Sequence, residues 1–174
     1  MTLSQQVTDL LDDSKNFLFY AKKEEREGQQ KHKLMYARAV IVTSYSALEG
    51  WINYISLSFI EQKNSSLLNS CEKAFLMEKK IEIDNQGNFQ ITKQDKYENT
   101  TKKLQFILNK FGNYDIKSND PQLWSDFKKF EKIRNSLVHP KHNSNDNQIT
   151  LNDAEFCFNT ITKIIQTLKD RIYQ

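Results

Sequence analysis

Residues 31–62 carry the pattern that most constrains the fold of this chain. Apolar residues recur there with alternating spacings of four and three positions, and they include Ile41, Tyr45, Leu48, Ile52 and Ile55. This spacing predicts a long helix with one continuous packing seam. The same helix carries a second apolar face made of small and aromatic side chains. A helix that is apolar on two faces lies at the centre of its fold, so we expect the other elements to pack around it.

The remaining sequence is also typical of a helical protein. It has only 4 Gly and 2 Pro among 174 residues, too few for the frequent tight turns of an all-β protein. Helical spacing predicts further helices over residues 3–27, 66–78, 99–111, 120–139 and 152–172. Two short alternating runs around Gly87 predict a β-hairpin near residues 80–92. We therefore predict an all-α fold: an antiparallel helical bundle of five to six helices with a small β-hairpin insertion, as a single domain over residues 1–174.

Charge and cysteine usage narrow the class of protein. The formal net charge of +3 is too small to indicate a nucleic-acid binder by itself. Cys71 and Cys157 form no metal or redox motif, so we expect both to be packing residues of a protein in a reducing compartment. The sequence contains no recognisable signal peptide and no apolar run long enough to span a membrane. These features predict a cytoplasmic protein.

The basic excess is concentrated near the end of the fifth predicted helix and the loop that follows. Residues 121–142 contain five Lys or Arg and two acidic residues, so this stretch alone accounts for the net charge of +3. Such a stripe indicates a polyanionic partner more strongly than the overall charge does. The predicted RNA-binding residues are Lys128, Lys129, Lys132, Lys141 and His142. We predict no metal site, because Pro140 breaks the helix that would align His142 with the other histidine of this stretch.

Arg134 and His139 are the predicted catalytic pair. Five helical residues correspond to about 7.5 Å of rise and about 140° of rotation, so both side chains reach the end of the helix without stacking. A guanidinium suits a phosphate, and an imidazole exchanges a proton near neutral pH. Asn135 is placed to orient either group. RNA cleavage through the 2′-hydroxyl needs these two roles and no metal. On spacing alone, however, the pattern is weak, and a capping or surface role is the more common explanation for it.

The run IRNSLVHP, which closes an amphipathic helix, resembles the HEPN superfamily, and so does the upstream run ARAVIVTSYSALEGWIN. The signature of that family is Arg, then four to six residues, then His, and Arg134 and His139 match its shortest form. The resemblance implies a metal-independent endoribonuclease without a cofactor, active as a toxin or phage-defence effector. It also implies RNA as the substrate, a homodimer whose site forms where two motif helices meet, and an antitoxin or regulatory protein as a further partner.

The acidic residue Glu49 is a further catalytic candidate that the resemblance suggests. HEPN proteins tend to carry a polar residue on the helix that contains Glu49, where an acid could orient the imidazole of His139. The alternative is a glutamate at the helix edge that pairs with a lysine. Arg38, which falls within the seam, is expected to be paired internally. Lys141 stands where HEPN toxins paired with a nucleotidyltransferase antitoxin carry Tyr, which argues against that particular partnership.

Two other functions remain open at this point. The first is a non-catalytic HEPN module that binds RNA or a protein partner through the same helix, or serves as a dimerisation scaffold, because function belongs to sites rather than folds. The second is a scaffold in which Arg134 forms an internal salt bridge with Glu49 or Glu131. A structure separates the alternatives, because the enzyme needs Arg134 and His139 to be open to a ligand.

Overall fold

A computed structural model describes residues 3–61, 67–139 and 149–173. Within these ranges the chain forms seven helices and one two-stranded antiparallel sheet. In chain order the elements are α1 (Leu3–Arg26), α2 (Gln30–Glu61), α3 (Ser70–Leu76), β1 (Lys79–Ile83), β2 (Phe89–Asp95), α4 (Thr100–Gly112), α5 (Ile116–Asn119), α6 (Pro121–Val138) and α7 (Leu151–Ile172). The predicted helical bundle with a hairpin insertion is confirmed.

Side-chain caps set the ends of the helices that build the bundle. The carboxylate of Asp120 accepts a hydrogen bond from the backbone N–H of Leu123 at 3.0 Å, and Pro121 occupies the first helical position of α6. Asn99 caps α4 in the same way, and Asn113 ends that helix in the left-handed conformation with φ 45°. These local signals explain why the predicted boundaries of α4 and α6 agree closely with the structure.

Helix α2 lies at the centre, as its two apolar faces predict. It packs against α1 along its length and also contacts α3, α4, α6 and α7. The seam is buried from Ile41 to Ile55, whereas Leu34 and Phe59 at its two ends are only half-buried. Gly50 lets α1 approach closely, because a Cβ atom added there would lie 2.6 Å from Cγ2 of Val7.

Three details of the structure differ from the prediction. The described residues form seven helices where five to six were predicted, because the four residues of α5 form a helix too short to show periodicity. Helix α3 begins at Ser70 instead of residue 66, since Asn69 and Glu72 form a capping box ahead of it. Arg38 is exposed and forms no ion pair among the described residues, because the seam is fully covered only from Ile41 onward.

The hairpin pairs β1 with β2 in antiparallel register and lies on the α3 side of the bundle. Ile81 faces Ile91, and Ile83 faces Phe89. The connecting turn places Gly87 at φ 83°, a conformation that glycine adopts without a steric cost. The hairpin prediction is therefore confirmed, with β2 extending past residue 92 to Asp95.

The two cysteines have different environments. Cys157 is buried in α7, as predicted, and burial raises the pKa of its thiol. Cys71 is exposed in α3, so its prediction as a packing residue is wrong. Across the ranges that the structure describes, no helix is long and apolar enough to cross a membrane.

Candidate functional site at the end of α6

Arg134 lies on the face of α6 that packs towards α2. It follows Phe130 by one helical turn, and Phe130 is fully buried with its ring centroid 5.6 Å from that of Tyr45. The guanidinium of Arg134 consequently lies over the Tyr45 ring, with 4.4 Å between its Cζ atom and the ring centroid. One of its terminal N–H groups donates to Oδ1 of Asn135 at 3.1 Å. The structure therefore brings Arg134 and Asn135 together. Arg134 is half-buried, and Asn135 is exposed.

The positive charge of Arg134 is not neutralised by a carboxylate of the described chain. None of the ion pairs among the described residues includes Arg134. Glu131, one turn before it, instead accepts a hydrogen bond from the Thr101 hydroxyl and pairs with Lys128. Glu49 accepts from Thr100. The predicted alternative of an internal salt bridge from Arg134 to Glu49 or Glu131 is therefore wrong.

His139 directly follows the last residue of α6. Its backbone N–H donates to the carbonyl oxygen of Asn135 at 2.9 Å, and its φ of −124° and ψ of 69° lie outside the helical region. The imidazole is exposed. Arg134, Asn135 and His139 thus belong to the final turn of one helix and its cap, where the guanidinium and the imidazole are both accessible from solvent.

Tyr45 is the residue on α2 that supports Arg134, and the sequence indicated only its place in the seam. Its side chain is 5% exposed, and burial raises the pKa of its phenol. The charges of Glu49 and Glu131 raise that pKa further, whereas hydrogen bonding with Thr100 and the nearby Arg134 lower it. The phenol is therefore neutral in the folded protein near neutral pH and keeps its O–H as a donor. A buried tyrosine hydroxyl needs a polar partner. The place of Tyr45 in the apolar seam was therefore the one signal in the sequence that pointed to this residue.

Glu49 lies on α2 at the edge of a separate polar cleft. Its Oε1 accepts a hydrogen bond from the Thr100 hydroxyl at 2.9 Å, and Glu49 forms no ion pair within the described ranges. The cleft has a volume of about 270 Å³. The other residues that line it are Ile52, Asn53, Glu78, Tyr97, Glu98, Thr100 and Lys103. We considered two contacts for Glu49, an ion pair with a lysine and a contact with His139. Neither is present among the described contacts of Glu49.

The cleft contains a buried lysine. The side chain of Lys103 is 3% exposed, donates to Oδ1 of Asn53 at 2.7 Å and lies 3.6 Å from a carboxylate oxygen of Glu78. Burial lowers the pKa of Lys103, and the charge of Glu78 opposes that shift. The cation is thus held by the cleft's own residues, which makes Lys103 a structural part of the cleft wall.

The predicted RNA-binding lysines are spread around α6 rather than collected beside Arg134. Lys128 pairs with Glu131 and lies 5.9 Å from the ring centroid of Trp124, and Lys129 lies 4.7 Å from that of Phe156. Lys132 is exposed. Because two helical residues span about 200° of rotation, it projects from the face opposite Arg134. The other two predicted residues, Lys141 and His142, lie outside the described residues. Among the described residues, no group of three or more His, Cys, Asp or Glu side chains could hold a metal ion.

Comparison with known protein families identifies a match. The model of a family described as RiboL-PSP-HEPN matches residues 8–174, which is nearly the whole chain and includes every element of the bundle from α2 to α7. Neither the curated proteins nor the solved structures contain a significant match to the chain.

Proposed function

Because the chain belongs to the RiboL-PSP-HEPN family, which is associated with ribonuclease activity, we propose that it is a metal-independent endoribonuclease. One observation carries this proposal. Arg134 is positioned by Tyr45 and Asn135, yet its charge is not paired with any carboxylate of the described chain. An arginine without a carboxylate partner and an exposed histidine at the same helix end offer an anion site and a proton-transfer group.

The chemistry follows from these two groups. The ribose 2′-hydroxyl oxygen attacks the adjacent phosphorus, and the bond from phosphorus to the 5′-oxygen of the next nucleotide breaks. His139 accepts the 2′-hydroxyl proton or donates a proton to the departing 5′-oxygen, which leaves a 2′,3′-cyclic phosphate and a 5′-hydroxyl. A positioned acid or base of this kind accelerates a reaction about 10²–10⁴-fold.

Arg134 binds the scissile phosphate and stabilises the negative charge that develops on its oxygens. A charge-stabilising donor of this kind contributes about 10²–10³-fold. Asn135 accepts a hydrogen bond from the guanidinium and so fixes its direction. The exposed Lys132 and the neighbouring basic residues of α6 contribute contacts to the RNA backbone outside the reacting phosphate, which makes binding dependent on salt.

We place the complete site at the interface of a homodimer. Within the described residues a single chain supplies one imidazole at this helix end, whereas the reaction needs both an acid and a base, so two copies of α6 meeting there supply both. Val138, which precedes His139, leaves its apolar side chain 42% exposed and is available to such an interface. In this proposal the chain acts as one domain, and the enzyme is a toxin or phage-defence effector regulated by an antitoxin or another protein.

An RNA-cleavage assay in the presence of EDTA tests the proposed function. Wild type is compared with Arg134→Ala and His139→Ala, and each protein is sized by light scattering. Arg171→Ala is the matched control, because its guanidinium lies over the Tyr114 ring at 4.5 Å, in the same way as Arg134 over Tyr45, but at the far end of α7.

We expect the wild-type dimer and Arg171→Ala to cleave RNA, and both site variants to lose at least about 100-fold in rate. Cleavage that survives in His139→Ala places the site elsewhere. The absence of cleavage by wild type across structured, single-stranded and total cellular RNA refutes the enzyme and favours a non-catalytic module that binds RNA or protein.

A further inference from the structure

Arg38 is a charged residue of α2 that the bundle leaves without a partner. It is the only charged residue in the run from residue 34 to residue 48. It is exposed, and it forms neither an ion pair nor a side-chain hydrogen bond with another described residue. The residues three and four positions away on either side are all apolar, so no neighbour on the surface of α2 neutralises its charge. The guanidinium is therefore available to an anion.

Arg38 and Tyr45 lie on the same face of α2. Seven helical residues correspond to about 700° of rotation, which falls about 20° short of two full turns, and to about 10.5 Å of rise. Val42 lies between them, about 40° around the helix from Arg38. The Tyr45 ring carries the guanidinium of Arg134 at 4.4 Å. The motif arginine is thus placed on the same face of α2 as Arg38, about two helical turns away.

This face of α2 is covered at Tyr45 and open at the residues before it. Tyr45 is 5% exposed, with Arg134 and Phe130 against its ring. Val42, by contrast, is 41% exposed, and Arg38 is exposed as well. Arg134 therefore stands at the border of an open strip that continues over Val42 to Arg38.

The open strip carries positive charge without a competing carboxylate of α2. The acidic residue of α2 nearest to Arg38 in sequence is Glu49, which lies beyond Tyr45 and accepts a hydrogen bond from Thr100 at 2.9 Å. Helix α1 packs on a different face, because Ser14 hydrogen-bonds with Ser44, which lies about 120° around α2 from Arg38. Two guanidinium groups on one open face suit a ligand with more than one phosphate.

We propose that Arg38 binds a phosphate of the RNA that neighbours the scissile one, so that the strand runs from Arg134 over Val42 to Arg38. This inference rests on the proposed ribonuclease function, because it takes the phosphate held by Arg134 as its starting point. Val42 contacts the ribose or base between the two phosphates. Arg38 thereby holds the substrate in register with the site and takes no part in bond breaking.

A binding experiment tests Arg38 without cleavage. His139→Ala, which lacks the proposed acid or base, is titrated with fluorescein-labelled single-stranded RNA at several salt concentrations, with and without Arg38→Ala. Loss of one phosphate contact should weaken binding about 3- to 10-fold and make the slope of log K against log salt about 0.7 less negative. Arg38→Lys keeps the charge and should keep the slope. Arg171→Ala is the matched control, because it removes the same charge at the far end of α7 and should leave the slope unchanged.

The cleavage assay locates the contact on the RNA. Arg38→Ala should raise KM about 3- to 10-fold with little change in kcat, unlike Arg134→Ala. In an RNA that is cut at one position, a neutral methylphosphonate linkage next to that position removes the charge that Arg38 binds. The neutral linkage should raise KM for wild type and have no further effect on Arg38→Ala. Equal effects on both proteins at every flanking linkage would overturn the inference.

The two experiments separate failure of this inference from failure of the proposed function. If wild type does not cleave RNA but Arg38→Ala weakens binding and reduces the salt slope, Arg38 is an RNA contact and the ribonuclease proposal fails. If wild type cleaves RNA while Arg38→Ala leaves KM and the salt slope unchanged, the inference is overturned. It is also overturned if light scattering shows that Arg38→Ala loses the dimer, because Arg38 then acts between copies of the chain. Circular dichroism establishes that each variant is folded.

Discussion

The contact between α1 and α2 predicts how Gly50→Ala changes the stability of the protein. Whether the change is a gain or a loss depends on the side chain of Val7. In Gly50→Ala the new Cβ atom would lie 2.6 Å from Cγ2 of Val7, whereas carbon atoms in contact prefer about 3.5–4.0 Å. Val7 is 1% exposed and branched at Cβ, so it has little room to move. Overpacking of this kind costs about 1–3 kcal/mol of folding free energy. Replacing a helical Gly by Ala gains about 1 kcal/mol, so the net change in wild type is a loss of about 0–2 kcal/mol.

The Val7→Ala background removes the obstructing atom, and Gly50→Ala should then stabilise the protein by about 1 kcal/mol. Urea unfolding followed by circular dichroism on wild type, both single variants and the double variant gives the coupling free energy, which we expect to be about 1–3 kcal/mol. If Gly50→Ala stabilises both backgrounds equally, the close approach of α1 and α2 is not as described.

Further predictions concern thiols, ionisation and growth. In the folded protein a chromogenic disulfide reagent should react with Cys71 and spare Cys157, whose pKa is raised by burial. Both thiols should react in urea. A second thiol that reacts rapidly in the folded protein would contradict the packing of α7. Because the pKa of Tyr45 is raised, its protonated form contributes stability that is present below about pH 10 and lost at higher pH. The difference in unfolding free energy between wild type and Tyr45→Phe should therefore be constant from pH 7 to 9 and shrink by pH 11. A constant difference up to pH 11 would contradict the burial of the phenol. Induced expression in bacteria should stop growth with wild type and not with Arg134→Ala, and equal arrest by both would remove the toxin role.

The fold was largely predictable because its main elements repeat a simple signal. Helices α1, α2, α4, α6 and α7 are long enough for the 3.6-residue period of apolar residues to be counted, and α4 and α6 begin at recognisable caps. The short elements carry too few residues for that period. This is why α5 was missed, and why the start of α3 depended on recognising Asn69 as a cap.

The candidate site was predictable in part for a different reason. Arg134, Asn135 and His139 are neighbours in sequence, so their arrangement at the end of one helix follows from helical geometry alone. The contact of Arg134 with Tyr45, and that of Thr100 with Glu49, join residues from three helices. Their proximity depends on how α2, α4 and α6 pack, which no local pattern encodes. For the same reason the sequence indicated a pairing of Glu49 with lysine, although its partner is a threonine.

We propose that Arg134 and His139 cleave RNA through attack by its own 2′-hydroxyl. The most direct measurement compares an RNA that wild type cleaves with the same oligonucleotide carrying a single 2′-deoxyribose at the scissile position, in EDTA, with mass analysis of the products. We predict that the ribose substrate is cut to a 2′,3′-cyclic phosphate and a 5′-hydroxyl, and that the deoxyribose substrate stays intact at that position. Cleavage of the deoxyribose substrate there, or products that carry a 5′-phosphate, would contradict the account.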